Sequence, residues 1–383
     1  MSKLAIVLTV SFLAYLVQGL NDGALGVAWP SIRYELYIPL EFAGFLTITG
    51  FTSYSFVASQ FGRLSKLFFT PHLVLAGILL IVTANVGLFF APNFFALIVC
   101  IAVVAAGQGL IESNVSAYLA RHFTARHVNW GLCFWGMGAS VGPVIMSQMI
   151  QGFNWRWGYV AILAIQSVVG LLAIYSIKSG AWVNKGVVSR ELKTDMSTTK
   201  VKLSYQMLQM TVFFLSSGTQ TAFGFWITTV MIESRGLSVE AAGLYPAFYF
   251  GSIMAGRIVF GGLAKDLGNM ALIRIGLVMA VGGIAMLIFS TSLIGAMLVG
   301  FGMGPVFPCL VHETTRRFSP DVLDRQMGYQ LSAAGFGEII SSSLGLLLSF
   351  VSLEILFPVA LGLILLVFVI NELVEVQVKK LSL

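Results

Sequence analysis

Charge is what this chain has least of. Only 10% of its 383 residues are Asp, Glu, Lys or Arg, against about 25% in a soluble globular domain. Histidine and cysteine are scarce as well. The four histidines, His72, His122, His127 and His312, form no metal-ligand pair at helical spacing. Cys100, Cys133 and Cys309 all fall in apolar segments, which excludes a disulfide framework or a zinc site. No phosphate loop, dinucleotide fingerprint, nucleophile elbow or Ser-His pair occurs where a folded domain would use it. The chain therefore reads as no enzyme, with no metal and no cofactor. The longest polar stretch, 178–202, is too short for a domain. That argues against a membrane sensor or scaffold that does not transport, because such a protein needs a soluble output domain. The formal charge of +6 and pI near 9.2 come from short basic loops rather than from a nucleic-acid surface.

Hydrophobic length is abundant: 57% of residues are apolar and the mean hydropathy is +0.91. Apolar runs long enough to cross a hydrocarbon layer of about 30 Å occur near 4–29, 40–62, 71–90, 94–119, 128–150 and 157–177. Six more occur near 203–232, 241–263, 270–290, 292–315, 326–350 and 354–376. The expected fold is all-α and polytopic, twelve transmembrane helices in two bundles: 1–177, a linker over 178–202, and 203–383. The run after Lys3 is too long for a signal peptide and lacks a small-residue cleavage site. Placing both termini in the cytoplasm puts Arg63, Lys66, Arg121, Arg126, the linker, Lys265, Arg274, Arg316, Arg317, Arg325, Lys379 and Lys380 inside. Only Arg33, Arg156 and Arg235 then fall outside. The chain is expected in the cytoplasmic membrane, as a monomer.

The halves repeat. Thr9-Val10-x-Phe12-Leu13 leading to Gln18 recurs as Thr211-Val212-x-Phe214-Leu215 leading to Gln220, and Arg121-His122-Phe123 recurs as Arg316-Arg317-Phe318. A six-plus-six repeat around a midplane site is a transporter architecture. Gly256-Arg257-Ile258-Val259-Phe260-Gly261-Gly262-Leu263-Ala264-Lys265-Asp266-Leu267-Gly268 resembles the loop motif between spans eight and nine of the major facilitator superfamily. The counterpart after span two, Gly62-Arg63-Leu64-Ser65-Lys66, lacks the usual acid. The resemblance covers the whole chain. It implies the twelve-helix fold, alternating access, and an inner-gate role for Arg257 and Asp266.

Two acids lie deep inside apolar spans of the first half. A carboxylate at that depth costs about 2.5–3.5 kcal/mol on insertion scales, so it is functional by default. In Gln18-Gly19-Leu20-Asn21-Asp22 of span one, Gln18 and Asp22 share a helical face with Asn21 beside them. In span four, Gln108, Glu112 and Ser116 share another. A carboxyl taken out of water favours its neutral form, which proton coupling needs, and amides read hydroxyl groups with a donor and an acceptor each. In the second half Gln220, Phe223, Trp226, Phe307 and Tyr249 give an amide and aromatic wall. An acid in span one with another in span four is similar to the fucose/proton symporter branch of the superfamily. That likeness implies roles for Asp22 and Glu112 in proton translocation and substrate coupling. Glu338, in Gly335-Phe336-Gly337-Glu338 of span eleven, is a third proton-coupling candidate outside the resemblance. Glu313, near the end of span ten, is expected to contact Arg316.

The expectation is a proton-gradient-driven symporter of a small sugar-like solute. Asp22, Glu112 and Glu338 would titrate, and Gln18, Asn21, Gln108, Asn114, Gln220 and Trp226 would contact the solute. Gly138-Ala139-Ser140-Val141-Gly142-Pro143 partly resembles a span-five motif of antiporters in the same superfamily. It keeps proton-coupled drug or metabolite efflux as the alternative. The partners implied are the solute, protons and the bilayer.

Overall fold

The computed structural model describes residues 3–123, 125–182, 203–318 and 320–381. Most of the expected linker, 183–202, lies outside them. The helices are α1 (Lys3–Leu36), α2 (Ala43–Ser59), α3 (Phe61–Leu67), α4 (Thr70–Phe90), α5 (Phe94–His122), α6 (Ala125–Gly152), α7 (Trp155–Lys178) and α8 (Leu203–Glu233). They continue with α9 (Val239–Leu267), α10 (Asn269–Phe289), α11 (Leu293–Met303), α12 (Val306–Arg317), α13 (Pro320–Phe336), α14 (Ile339–Phe350) and α15 (Leu356–Leu381). Among the described residues no strand forms. Nine helical segments there are long and apolar enough to cross a membrane. A lipid layer offers no partner for backbone N–H and C=O groups, so a chain this apolar closes them within helices.

Three crossing segments are interrupted. Gln60 separates α2 from α3, Gly304-Pro305 separates α11 from α12, and Gly337-Glu338 separates α13 from α14. Proline lacks the donor that would continue the ladder, which accounts for the second break. At the third, Gly337 lies against the Phe214 carbonyl and Gly218 of α8, too close for any Cβ. Other helix ends follow ordinary capping. Asn93 Oδ1 accepts from the Ala96 N–H at 3.0 Å, and Asn154 Oδ1 accepts from the Arg156 N–H at 3.0 Å.

Contacts group the chain into two units, 1–189 with 238–247, and 190–237 with 248–383. The expected second bundle of 203–383 therefore loses the start of α9. The reason is local: Gly243 packs on Ser147 of α6, and Gln148 Nε2 donates to Glu240 Oε1 at 3.3 Å. The core of the first unit gathers Val10, Ala14, Tyr15, Ile78, Ile111, Val115 and Trp182.

The α1–α6 seam positions the site. Gly19 and Gly23 meet the backbone of Trp135 and Ala139, while Gly138 and Gly142 meet the backbone of Leu16 and Leu20. Small residues on both faces let the helices touch main chain to main chain. Pro143 sits inside α6 against Gly23. The Gly-x-x-x-Gly spacing of the two helices is thus a packing device, and it brings the Trp135 side chain to the polar turn of α1.

Candidate functional site

Helices α1 and α5 each carry a glutamine followed four residues later by an acid. They are spans one and four of an alternating path, so they run antiparallel. Each acid therefore comes opposite the other helix's glutamine, and three rungs result. Gln108 Nε2 donates to Asp22 Oδ1 at 2.6 Å. Glu112 lies against the Gln18 side chain and the Ser116 hydroxyl. Tyr15 and Ser116 share a hydrogen bond of 2.5 Å between their hydroxyls. Glu112 lies close enough to Asp22 to feel its charge.

The rungs differ in access. Tyr15 is fully buried, Gln18 is 3% exposed, and Asp22 is exposed. The ladder thus opens at its Asp22 end, and a carboxylate at that depth belongs on a wet face. Glu112 and Gln108 are half-buried. The second oxygen of Asp22 has a partner that the sequence analysis missed: Trp135 Nε1 of α6 donates to Oδ2 at 2.8 Å. A tryptophan in an apolar span reads as packing. The available signal was the glycine seam, which predicts that α6 lies directly on α1.

Amides from further helices hold the backbone of α1 at this turn. Gln108 Nε2 also reaches the Gln18 carbonyl at 3.4 Å. Gln166 Nε2 of α7 donates to the Val17 carbonyl at 3.4 Å, and its Oε1 accepts from Asn85 Nδ2 of α4 at 2.6 Å. Asn85 and Gln166 are fully buried. Asn21 is 6% exposed and turns its Nδ2 back to the Val17 carbonyl at 3.4 Å, which leaves a buried Oδ1 unpaired. Gln18 Nε2 is also buried without a closed hydrogen bond.

Other expected site residues lie elsewhere. Asn114 is 1% exposed and bonds the Leu110 carbonyl at 2.8 Å. At 3.6 residues per turn it stands about 160° around α5 from the Gln108–Glu112–Ser116 stripe. Its own stripe, Gly107 with Leu110 and Ile111, packs on Gly77 of α4. Asn114 thus lies on the α4 side of α5, away from the acid stripe. Trp226 is fully buried, donates its indole N–H to the Ser341 carbonyl at 2.9 Å and lies on Gly345. A ring with no accessible surface offers a solute nothing to stack on. Phe223 and Tyr249 are buried against one another, and the Tyr249 hydroxyl donates to the Gln220 backbone carbonyl at 3.0 Å. Gln220 itself is half-buried.

Glu338 is half-buried at the α13–α14 break, more than half the chain length from Asp22 in sequence and in the other unit. Arg257 is half-buried beside Gly304, and Asp266 is exposed in the last turn of α9. Nine residues of helix separate those two by about 13.5 Å, so each must act on a different partner. Glu313 does contact Arg316, whose Nε donates to its Oε2 at 2.7 Å.

Residues 11–342 match a family model described as Major Facilitator Superfamily. The fosmidomycin resistance protein of Escherichia coli (strain K12) is similar to this chain, 21% identical over 369 residues, which is 91% of this chain and 87% of that protein.

Proposed function

The chain belongs to the Major Facilitator Superfamily, and we propose that it moves a small polar solute across the cytoplasmic membrane in exchange with, or together with, protons. The observation that carries this reading is the Asp22 carboxylate, exposed at mid-helix and held by Gln108 and Trp135, with Glu112 one rung away. Two acids whose charges interact do not both ionise freely. One proton more or less at this pair is therefore sensitive to whatever else enters. Gln18, Asn21 and Gln108 suit the hydroxyl groups of a sugar-like solute, which favours uptake coupled to proton entry. Glu338 stays a third proton-coupling candidate, and Arg257 and Asp266 are assigned to an inner gate.

Proton-driven export is the second reading. The similarity to a resistance protein along nearly the full chain favours it, and so does the burial of Trp226, which removes an expected sugar-stacking ring. The test uses purified protein in liposomes with a pH indicator inside and a pH step outside. Under the uptake reading a panel of neutral sugars drives proton entry, and Asp22→Asn and Glu112→Gln abolish it. Proton release on adding lipophilic cations, with no response to any sugar, establishes export. A wild-type protein that moves no proton with either panel overturns proton coupling.

A further inference from the structure

The partners of Asp22 differ in what they are able to do. Trp135 Nε1 is a donor only, so Oδ2 has a fixed role as acceptor. Gln108 carries both a donor and an acceptor on one planar group, and a half-turn about its last side-chain bond exchanges them. In the structure it donates to Oδ1 at 2.6 Å. Its second bond, to the Gln18 carbonyl, is long at 3.4 Å and little is lost by releasing it.

We propose that Gln108 is the residue that couples the proton to the solute: the proton enters at Asp22 Oδ1, and the Gln108 amide reverses to accept from it. A hydronium gives its proton to Oδ1 and leaves as water. The new O–H has the Gln108 Oε1 as its acceptor, while Trp135 stays on Oδ2. The Gln108 NH2 group is thereby turned out of the ladder and presents its donors to an acceptor atom of the solute. Loss of the proton reverses each step. Gln108 is a positioning residue for Asp22 in this scheme, and proton binding precedes tight solute binding.

The second rung repeats the arrangement. Tyr15 is fully buried among Val10, Ala14, Ile111 and Val115, and Ser116 is its hydroxyl partner. The Tyr15 and Ser116 hydroxyls share one hydrogen bond, and Ser116 also lies against Glu112. Gln18 is again the group able to reverse. The ionisable group nearest Asp22 is Glu112 on α5, whose own ionisable neighbour on α1 is Tyr15. From α6 the polar group on Asp22 is Trp135, while Gln166 of α7, held by Asn85 of α4, meets the Val17 carbonyl instead.

The inference rests on proton binding at Asp22, and infrared difference spectroscopy separates the two claims with protons alone as the probe. The full chain in lipid is stepped from high to low pH. The expected spectrum holds a protonated-carboxyl band, absent in Asp22→Asn, together with a side-chain amide change. In Gln108→Leu the amide change disappears and the carboxyl band shifts, as its O–H loses its acceptor. Gln108→Asn, which keeps an amide, serves as a second variant if the leucine variant fails to fold. It retains an amide change at altered frequency. A wild-type carboxyl band unaccompanied by any amide change overturns the role of Gln108 and leaves proton coupling standing. No Asp22 carboxyl band at any pH overturns the proton-coupling reading itself.

Discussion

In the first half, Arg121-His122-Phe123 closes span four against rings. In the second, Arg316-Arg317-Phe318 closes span ten against carboxylates. His122 stacks on Tyr118 with ring centroids 4.2 Å apart, and Trp182 meets the same tyrosine at 4.7 Å. At the corresponding place Arg317 is 1% exposed, near Glu313 at 3.8 Å and Glu375 at 3.6 Å. Arg316 joins those two acids at 2.7 and 2.9 Å. Asn269 donates to Glu313, and Gln209 and Gln330 extend the network to α8 and α13. One repeated tripeptide thus supports two kinds of closure. The His122–Tyr118 stack lies within α5, and Trp182 brings a ring to it from beyond α7, so this end is closed by apolar contact. A buried ion network holds its members at one set of distances, because misplacing any of them leaves a charge unpaired.

That contrast is testable at its largest expected effect. Arg317→Leu leaves Glu313 and Glu375 short of a buried counter-charge and should cost about 3–5 kcal/mol. His122→Leu at the matching position removes a stack and should cost about 1 kcal/mol or less. Unfolding midpoints in detergent, compared at one protein concentration, give the two numbers. Equal losses would mean that the halves are closed by packing alone and that the ion network is incidental.

The interiors differ in the same sense but in the opposite halves. The first unit buries an amide pair, Asn85 with Gln166, that holds α1 beside its acids. The second unit buries Trp226 on the Ser341 carbonyl. Gln166→Leu orphans both Asn85 and the Val17 carbonyl contact, so a loss of about 1–3 kcal/mol is expected. Solute affinity should fall with it, since the turn carrying Gln18 and Asp22 loosens. Trp226→Phe keeps most of the buried ring and forfeits one hydrogen bond, about 1 kcal/mol, and should leave solute affinity unchanged. Calorimetric unfolding together with binding on the same preparations checks both. A changed affinity in Trp226→Phe would restore the tryptophan to the site.

Much of this was legible in the sequence because the bilayer enforces it. Helical crossing segments follow from apolar length, and the two Gln-to-acid spacings marked the polar faces of spans one and four, whose pairing of Asp22 with Gln108 came only with the structure. The internal repeat pointed to Arg121 and Arg316 as equivalent ends. What the sequence withheld was rotation and neighbour identity. Asn114 sits two residues from Glu112, and only the packing of Gly107 on Gly77 fixes which way its stripe points. Trp135 and Trp226 are both tryptophans in apolar spans, yet one donates to the Asp22 carboxylate and the other to a backbone carbonyl. The helix break at Gly337 was hidden as well. Nothing in Gly335-Phe336-Gly337-Glu338 distinguishes a break from a smooth span until α8 is seen pressing on Gly337.

At the end of the bundles opposite the basic loops, the halves agree in design and differ in sign. Arg156 pairs with Glu35 of α1, lies over Trp155 at 4.3 Å and donates to the Ala91 carbonyl at 2.9 Å. Arg235, in the turn after α8, pairs with Glu354 at 2.8 Å, lies over Phe357 at 4.7 Å and donates to the Ser290 carbonyl at 2.6 Å. Each clamp ties the end of the first helix of its half to the start of the last helix and to the turn between the third and fourth. The arginine stands at the start of the last helix in one half and just past the end of the first in the other. Glu35 and Glu354 are each 42% exposed, so solvent screening keeps either pair to about 1 kcal/mol or less. If the clamp is a shared geometry rather than a particular pair of residues, exchanging the charges in the first half should be tolerated. Glu35→Arg alone and Arg156→Glu alone should each lower the unfolding midpoint slightly, and the double exchange should recover at least half of that loss. Recovery would show that the second half already displays the exchanged form. Additive losses would show instead that Arg156 is held chiefly by Trp155 and the Ala91 carbonyl, with Glu35 contributing little.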